Sequence, residues 1–222
     1  MRSLSEILGP VMIGPSSSHT AGACRIGKIT NIIVNEKIKE VVFYLHGSFG
    51  KTYKGHGTDR ALVGGLLGMD TDDKRIIDSM EIANKEGLVY SFVEENLGNN
   101  YHPNTVKLQI ITESNRKTSI IGSSVGGGNI EILNIDGKDV YFTGKYNTLL
   151  INHIDKPGIV HNVSGILCKE NINIAYLKVF RDKRGDNASM VFELDDVISS
   201  NIIEEIKNVK NIKSCVFIKS ME

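Results

Sequence analysis

Asn147-Thr148-Leu149-Leu150-Ile151-Asn152-His153-Ile154-Asp155-Lys156-Pro157-Gly158-Ile159 runs apolar residues into a Pro-Gly turn, and beyond it the hydrophobic period changes. Asn147 to His153 is expected to be a strand. Pro157-Gly158 breaks it and opens a helix from Ile159 to Glu170, with Val163, Ile166 and Leu167 on one face. Ile174 to Phe180 reads as a second strand, and Arg184-Gly185-Asp186-Asn187 as a hairpin turn into a third, Ala188 to Leu194. Ser199 or Ser200 then caps a helix from Ile202 to Val209, and Ile212 to Ile218 closes the sheet. The order is βαββαβ, in which helices on one face of the sheet bury a core without help from the rest of the chain.

Working back from Asn147, Thr143-Gly144-Lys145 is short and polar, and the domain boundary is placed there, giving units 1–144 and 145–222. From Leu88 to Phe142 the period is two: Val106, Leu108 and Ile110 alternate with Lys107 and Gln109, with Asn-Asn, Ser-Asn and Asp-Gly turns between runs. This predicts an antiparallel meander. Val41 to Leu45 has the composition of a strand. Thr71-Asp72-Asp73 is expected to start a helix whose stripe is Ile76, Ile77, Met80 and Ala83 and which Gly87 ends. The segment Gly50 to Arg60 is glycine-punctuated and reads as a loop. The helix suggested by Ala61, Leu62, Leu66 and Leu67 contains Gly64 and Gly65, which cost helix stability unless close packing needs them. The fold class is α+β: an N-terminal α/β domain with a mainly antiparallel sheet, followed by the βαββαβ unit.

The 222 residues include 41% hydrophobic ones, enough for two cores. Lys plus Arg and Asp plus Glu both number 26, which argues against a nucleic-acid or anionic-membrane footprint. The mixed-charge stretches Lys37-Ile38-Lys39-Glu40 and Lys207 to Lys213 read as solvated faces. Apolar runs are interrupted within a few residues, and Met1-Arg2-Ser3 leads into no signal-peptide core, so a soluble, cytoplasmic chain is expected. Cys24, Cys168 and Cys215 are widely spaced, with no Cys-x-x-Cys pair. They read as ordinary core thiols rather than a disulfide framework or a cluster site.

Gly14-Pro15-Ser16-Ser17-Ser18-His19-Thr20-Ala21-Gly22 is where the chemistry concentrates. Ser18 or Thr20 is expected to cap a helix extended by Ala23, Ile26, Ile29 and Ile33. The loop would then sit at a helix N-terminus, where free N–H groups favour a carboxylate, phosphate or oxyanion. Any one of these hydroxyls could merely cap, but the row of them beside an imidazole exceeds what capping requires. Gly126-Gly127-Gly128-Asn129 lacks the spacing of a phosphate loop and reads as a bulge or tight approach between strands.

Two resemblances follow. The βαββαβ unit, with Asp155-Lys156-Pro157-Gly158 after its first strand and Asn171-Ile172-Asn173-Ile174 entering its second, resembles the ferredoxin-like ACT domain, a regulatory amino-acid-binding module. In serine-feedback-regulated phosphoglycerate dehydrogenases a His before the Pro-Gly turn and an Asn entering the second strand bind serine across a domain pair. The resemblance implies an effector site from His153, Asp155, Gly158 and Asn173, and ACT-mediated dimerisation. Asp155 stands where those enzymes have Asn, which removes an amide donor and adds charge, so an empty dimerisation module is the competing reading. The segments Gly9 to Ala23, Gly47 to Leu62 and Asn100-Tyr101-His102-Pro103-Asn104 are similar to the β chain of iron–sulfur-dependent bacterial L-serine dehydratases.

That second resemblance implies a lyase subunit that, only with its α chain, converts L-serine to pyruvate and ammonia. The [4Fe–4S] cluster would be held by the partner α chain, with no metal in this chain. Ser16 would clamp substrate, and Ser17, Ser18, His19 and Thr20 would form the catalytic loop, His19 being either a base or a hydrogen-bonding anchor. His56, Asp59 and His102 form a second, substrate-binding group on Gly/Asn/Pro-rich loops. Against this, Asp59 in a helix first turn and His102 before Pro103 each have ordinary structural explanations. Two other functions compete: an amino-acid-sensing ACT regulatory protein without catalysis, and a structural subunit covering the α-chain cluster.

Overall fold

The computed structural model describes residues 10–181 and 183–221. Met1-Arg2-Ser3 and Gly9, used in the sequence reading, lie outside the described residues. Two compact units meet between Gly137 and Lys138.

The first unit opens with a five-residue π turn, Ser17–Ala21, continuous with helix α1, Gly22–Val34. Its N-cap is Ser16, whose hydroxyl accepts from the His19 N–H, and not Ser18 or Thr20. The helical path begins earlier than the apolar period indicates because the wide π turn carries Ser17, Ser18, His19 and Thr20 within it. Strand β1, Ile38–Leu45, follows. The glycine-punctuated segment expected to be a loop is helical: α2 is Gly47–His56 and α3 is Thr58–Leu66, with Gly57 (φ 68°) between them. Gly50 faces the Leu45 carbonyl and the Glu94 side chain at 2.8 Å from where a Cβ would stand, so packing outweighs its low helix propensity. Gly65 would collide with the Cys24 backbone and Gly27 with the Leu62 carbonyl if either carried a Cβ. The α1–α3 pair therefore packs backbone to backbone, as the glycines in the helical pattern implied.

Asp73, not Thr71, caps the next segment by accepting from the Arg75 N–H. The segment begins as a 3₁₀ turn, Lys74–Asp78, before α4, Ser79–Lys85. The 3₁₀ winding turns Ile77 outward, 54% exposed, so the expected stripe loses a member. Strands β2 (Val89–Glu94), β3 (Thr105–Thr112), β4 (Lys117–Gly126) and β5 (Asn129–Ile135) complete the unit. Its strands lie in the order β2-β1-β3-β4-β5. The meander holds for β3 to β5, but β2 pairs with β1 in parallel, Phe43 opposite Phe92. Three helices lie between β1 and β2 in the chain, and a crossover of that kind returns a strand parallel.

The second unit contains β6 (Lys138–Phe142), β7 (Asn147–Ile154), α5 (Ile159–Lys169), β8 (Ile174–Arg181), β9 (Asn187–Leu194), α6 (Ser200–Lys207) and β10 (Ile212–Ile218). From β7 onward this is the βαββαβ order read from the sequence, its four strands antiparallel in the order β10-β7-β9-β8. Leu149, Ile151, Met190, Phe192 and Leu194 of the sheet meet Val163, Ile166 and Leu167 of α5 and Ile202 and Ile206 of α6. Each such side chain contributes about 1.5–3 kcal/mol when fully buried. Cys24 and Cys215 are buried as expected. Cys168 is exposed: one residue beyond the buried Leu167, it is turned roughly 100° around the helix, away from the sheet.

Candidate functional site

Two segments separated in sequence meet at the His19 ring, and a third holds one of them in place. The π turn presents it, with Ser16 Oγ accepting the His19 backbone N–H at 3.2 Å and lying 3.4 Å from Nδ1. On the other side Nε2 is 3.0 Å from Ser48 Oγ in the first turn of α2. Phe49 packs against the ring edge to face, centroids 5.4 Å apart, and His56 from the last turn of α2 lies tilted at 4.8 Å. Thr20, 2% exposed, donates its hydroxyl to the His56 carbonyl at 3.2 Å, which ties the π turn to the end of α2. Gly14, at φ 134°, lets the loop fold back onto Thr20, where any Cβ would strike the threonine side chain.

The third segment fixes α2 itself. Gly47, at φ 56°, would bring a Cβ within 2.8 Å of the Pro103 carbonyl oxygen, and the Phe49 N–H reaches the same carbonyl at 3.3 Å. The exposed His102 uses Nδ1 to accept the Asn104 N–H at 3.1 Å, and its carbonyl accepts the Thr105 hydroxyl at 2.6 Å. So the His102-Pro103-Asn104 turn buttresses the helix that holds Ser48 and Phe49. The triglycine turn does the same for the serine loop. Gly126, Gly127 and Gly128 all have positive φ; a Cβ on Gly128 would press on Pro10, and the Gly128 carbonyl accepts from Arg25 Nη1 at 2.9 Å.

Of the expected residues, Ser16, His19, Thr20 and His56 are brought together. Ser17 and Ser18 sit half-buried on the π turn beside them, and Asp59 lies in the first turn of α3, accepting the Arg60 N–H at 2.8 Å. Ser48 was missed. It follows a positive-φ glycine at a helix start, but only the contact with His19, 29 positions away, marks it out. Burial, and secondarily the facing His56, lower the His19 pKa below its ordinary value, so the imidazole stays neutral in neutral solution. Burial raises the Asp59 carboxyl, which hydrogen bonds and neighbouring cations only partly offset. His56 Nδ1 is buried with no partner, a polar atom whose hydrogen bond is unmade. A neutral imidazole flanked by hydroxyls can accept one proton and donate another, and the hydroxyls can hold a carboxylate.

In the second unit His153 is 2% exposed on β7, its Nδ1 3.0 Å from the Ile154 carbonyl and its Nε2 buried without a partner. Asp155 is engaged inside the β8–β9 hairpin, accepting from Gly185 N–H at 3.2 Å and Arg181 Nη1 at 2.9 Å, and these bonds hold its carboxyl below the usual range. Gly158, at φ 90°, precedes α5, and Asn173 Nδ2 donates to Asp195 at 2.6 Å. Among the described residues no group of three His, Cys, Asp or Glu side chains could hold a metal ion. The Cys24 and Cys215 thiols are both pushed up to about 12 by burial, the wrong direction for thiolate ligands. These residues do not fit an iron–sulfur cluster. No helix among the described residues is long and apolar enough to cross a membrane.

Comparison with known proteins agrees with both units. The serine dehydratase beta chain family matches residues 3–132, and the AHAS small subunit-like ACT domain matches residues 149–214. The L-serine dehydratase beta chain of Peptoniphilus asaccharolyticus is 42% identical over 96% of each chain. The probable L-serine dehydratase beta chain of Bacillus subtilis is 41% identical over 95% of each. The D-3-phosphoglycerate dehydrogenase of Methanocaldococcus jannaschii is 29% identical over 87% of this chain but only 36% of its own length. The second unit is an ACT domain, and the chain as a whole belongs to the serine dehydratase beta-chain family.

Proposed function

We propose that this chain is the β subunit of an L-serine dehydratase and supplies the substrate-holding, proton-handling half of the active site. The observation that carries this reading is the neutral His19 imidazole held between Ser16 and Ser48 on a turn rich in hydroxyls. Loss of water from L-serine needs the α-proton removed and the carboxylate held while the β-hydroxyl departs; the resulting 2-aminoacrylate tautomerises and hydrolyses to pyruvate and ammonia. His19 receives the α-proton, and the Ser16 to Thr20 turn holds the carboxylate through hydroxyls and backbone N–H groups. The raised carboxyl of Asp59 and the unpartnered Nδ1 of His56 suit them to the polar end of the substrate. The [4Fe–4S] cluster that the family resemblance implies is assigned to the partner α chain, a placement supported by the buried Cys24 and Cys215 thiols being pushed up to about 12.

The ACT unit is read as a pairing and regulatory module. The unmade hydrogen bond of buried His153 Nε2 supports an effector nearby, whereas the engagement of Asp155 with the β8–β9 hairpin favours a role in shaping the site.

The experiment is reconstitution with the α chain under anaerobic conditions. Serine-dependent pyruvate formation is expected only when both chains are present, and His19→Ala should lower kcat by at least about 100-fold. This chain alone should stay colourless after treatment with iron and sulfide. Wild-type turnover by His19→Ala would remove the proton-handling role, and a chromophore on this chain alone would overturn the division of labour.

A further inference from the structure

Ser48 has no role in the reading above beyond touching His19, yet its placement is tightly constrained. It sits between Gly47, which lies too close to the Pro103 carbonyl for a Cβ, and Phe49, whose N–H donates to that carbonyl. Its own carbonyl accepts the Thr52 hydroxyl at 2.8 Å, which secures the first turn of α2. Phe49 is fully buried and packs on the imidazole that Ser48 bonds. The hydroxyl is therefore held by a rigid backbone at 3.0 Å from Nε2, while the Nδ1 side has only the longer 3.4 Å approach of Ser16.

We infer that Ser48 is the positioning residue for His19, fixing the ring's orientation through Nε2. This rests on the proposed function only for its catalytic consequence. A hydroxyl can donate to Nε2 or accept from it, so the contact holds the ring in place in either tautomer and leaves Nδ1 aimed in one direction. In serine-protease triads the partner of the catalytic imidazole likewise holds the ring in its working orientation. Here a hydroxyl takes that place, and the α2 N-terminus, clamped by the Pro103 turn, supplies the rigidity that a loop would lack. His56 is the titratable group facing the ring, so the orientation is set beside a second imidazole.

The test combines proton NMR of the His19 ring contacts in this full chain with kinetics of the αβ enzyme. In wild type the ring should show the contacts with Phe49 of one orientation; in Ser48→Ala it should show those of two, while Ser48→Thr, which keeps the hydroxyl, should restore one. With the α chain, Ser48→Ala should lower kcat about 10- to 100-fold with KM changed less than about threefold, and Ser48→Thr should recover most of it. An unchanged set of His19 contacts in a folded Ser48→Ala chain overturns the positioning role, as does loss of activity that Ser48→Thr fails to rescue. If Ser48→Ala does not fold, the threonine variant decides: two ring orientations there would equally overturn it. Should His19→Ala keep wild-type turnover, the proton-handling reading fails, and the contact measurement still judges Ser48 independently.

Discussion

Asp59 shows how burial sets the pH dependence of a single carboxyl. Its carboxyl is raised above the ordinary aspartate value of 3.8 mainly by burial in the first turn of α3. The folded chain therefore binds a proton there more tightly than the unfolded chain. The sign follows: stability from this group is present at low pH and lost as pH rises through its folded value, leaving a penalty at neutral pH. Asp59→Asn keeps an oxygen to accept the Arg60 N–H and removes the charge. The expected outcome is a higher Tm than wild type at pH 7, a gap that narrows as the pH falls, and weaker serine binding in the αβ enzyme seen as a raised KM. A lower Tm at pH 7 would mean that the charge is better partnered than its burial implies. His19 acts with the opposite sign, because its lowered pKa withdraws stability as the pH falls through the ordinary histidine value of 6.5.

At the scale of elements, the site depends on α1 and α3 approaching through glycine. Gly65 faces the Cys24 backbone and Gly27 faces the Leu62 carbonyl, each too close for a Cβ. Gly65→Ala should push the two helices apart and cost about 1–3 kcal/mol, read as a lower urea midpoint with an unchanged m-value. A stability gain, as expected from helix propensity alone, would show that the pair yields without cost. Gly65, with Gly64, was legible in the sequence because a helical period containing glycines demands close packing, whereas Gly27 gains its meaning only from the facing Leu62 carbonyl. The helical nature of Gly47–His56 was not, since nothing local reveals that Pro103 and Glu94 occupy the space a side chain would take. The second unit was read almost residue by residue, from β7 to β10, because its strands and helices each carry their own period and stop signals. The site lies between these extremes. Ser16, His19 and Thr20 share one stretch, whereas Ser48 acquires its meaning only from a contact that the chain's topology creates.

For the whole molecule, the question is what covers the open edge of the ACT sheet. β8 ends the order β10-β7-β9-β8, so one side of its backbone has no neighbouring strand in that sheet. Its register places Leu177 opposite Phe192 and Val179 opposite Met190, both fully buried core residues, yet Leu177 is 36% and Val179 38% exposed. The apolar face of the core thus runs out to the edge uncovered, and Tyr176 leaves the other face 40% exposed. An uncovered edge of this composition invites a second strand, and between Tyr176 and Val179 it is Lys178 that opposes it. With no net charge to keep copies apart, pairing through β8 between two copies of this chain is the expected state. Sedimentation equilibrium of the full chain should give a dimer, and Leu177→Lys combined with Val179→Lys should give the monomer mass with an unchanged far-ultraviolet spectrum. Because both side chains are already partly in water, the double substitution tests the edge without emptying the core. A dimer that survives it would place the contact elsewhere, and a wild-type chain that sediments as a monomer would leave the edge to the α chain.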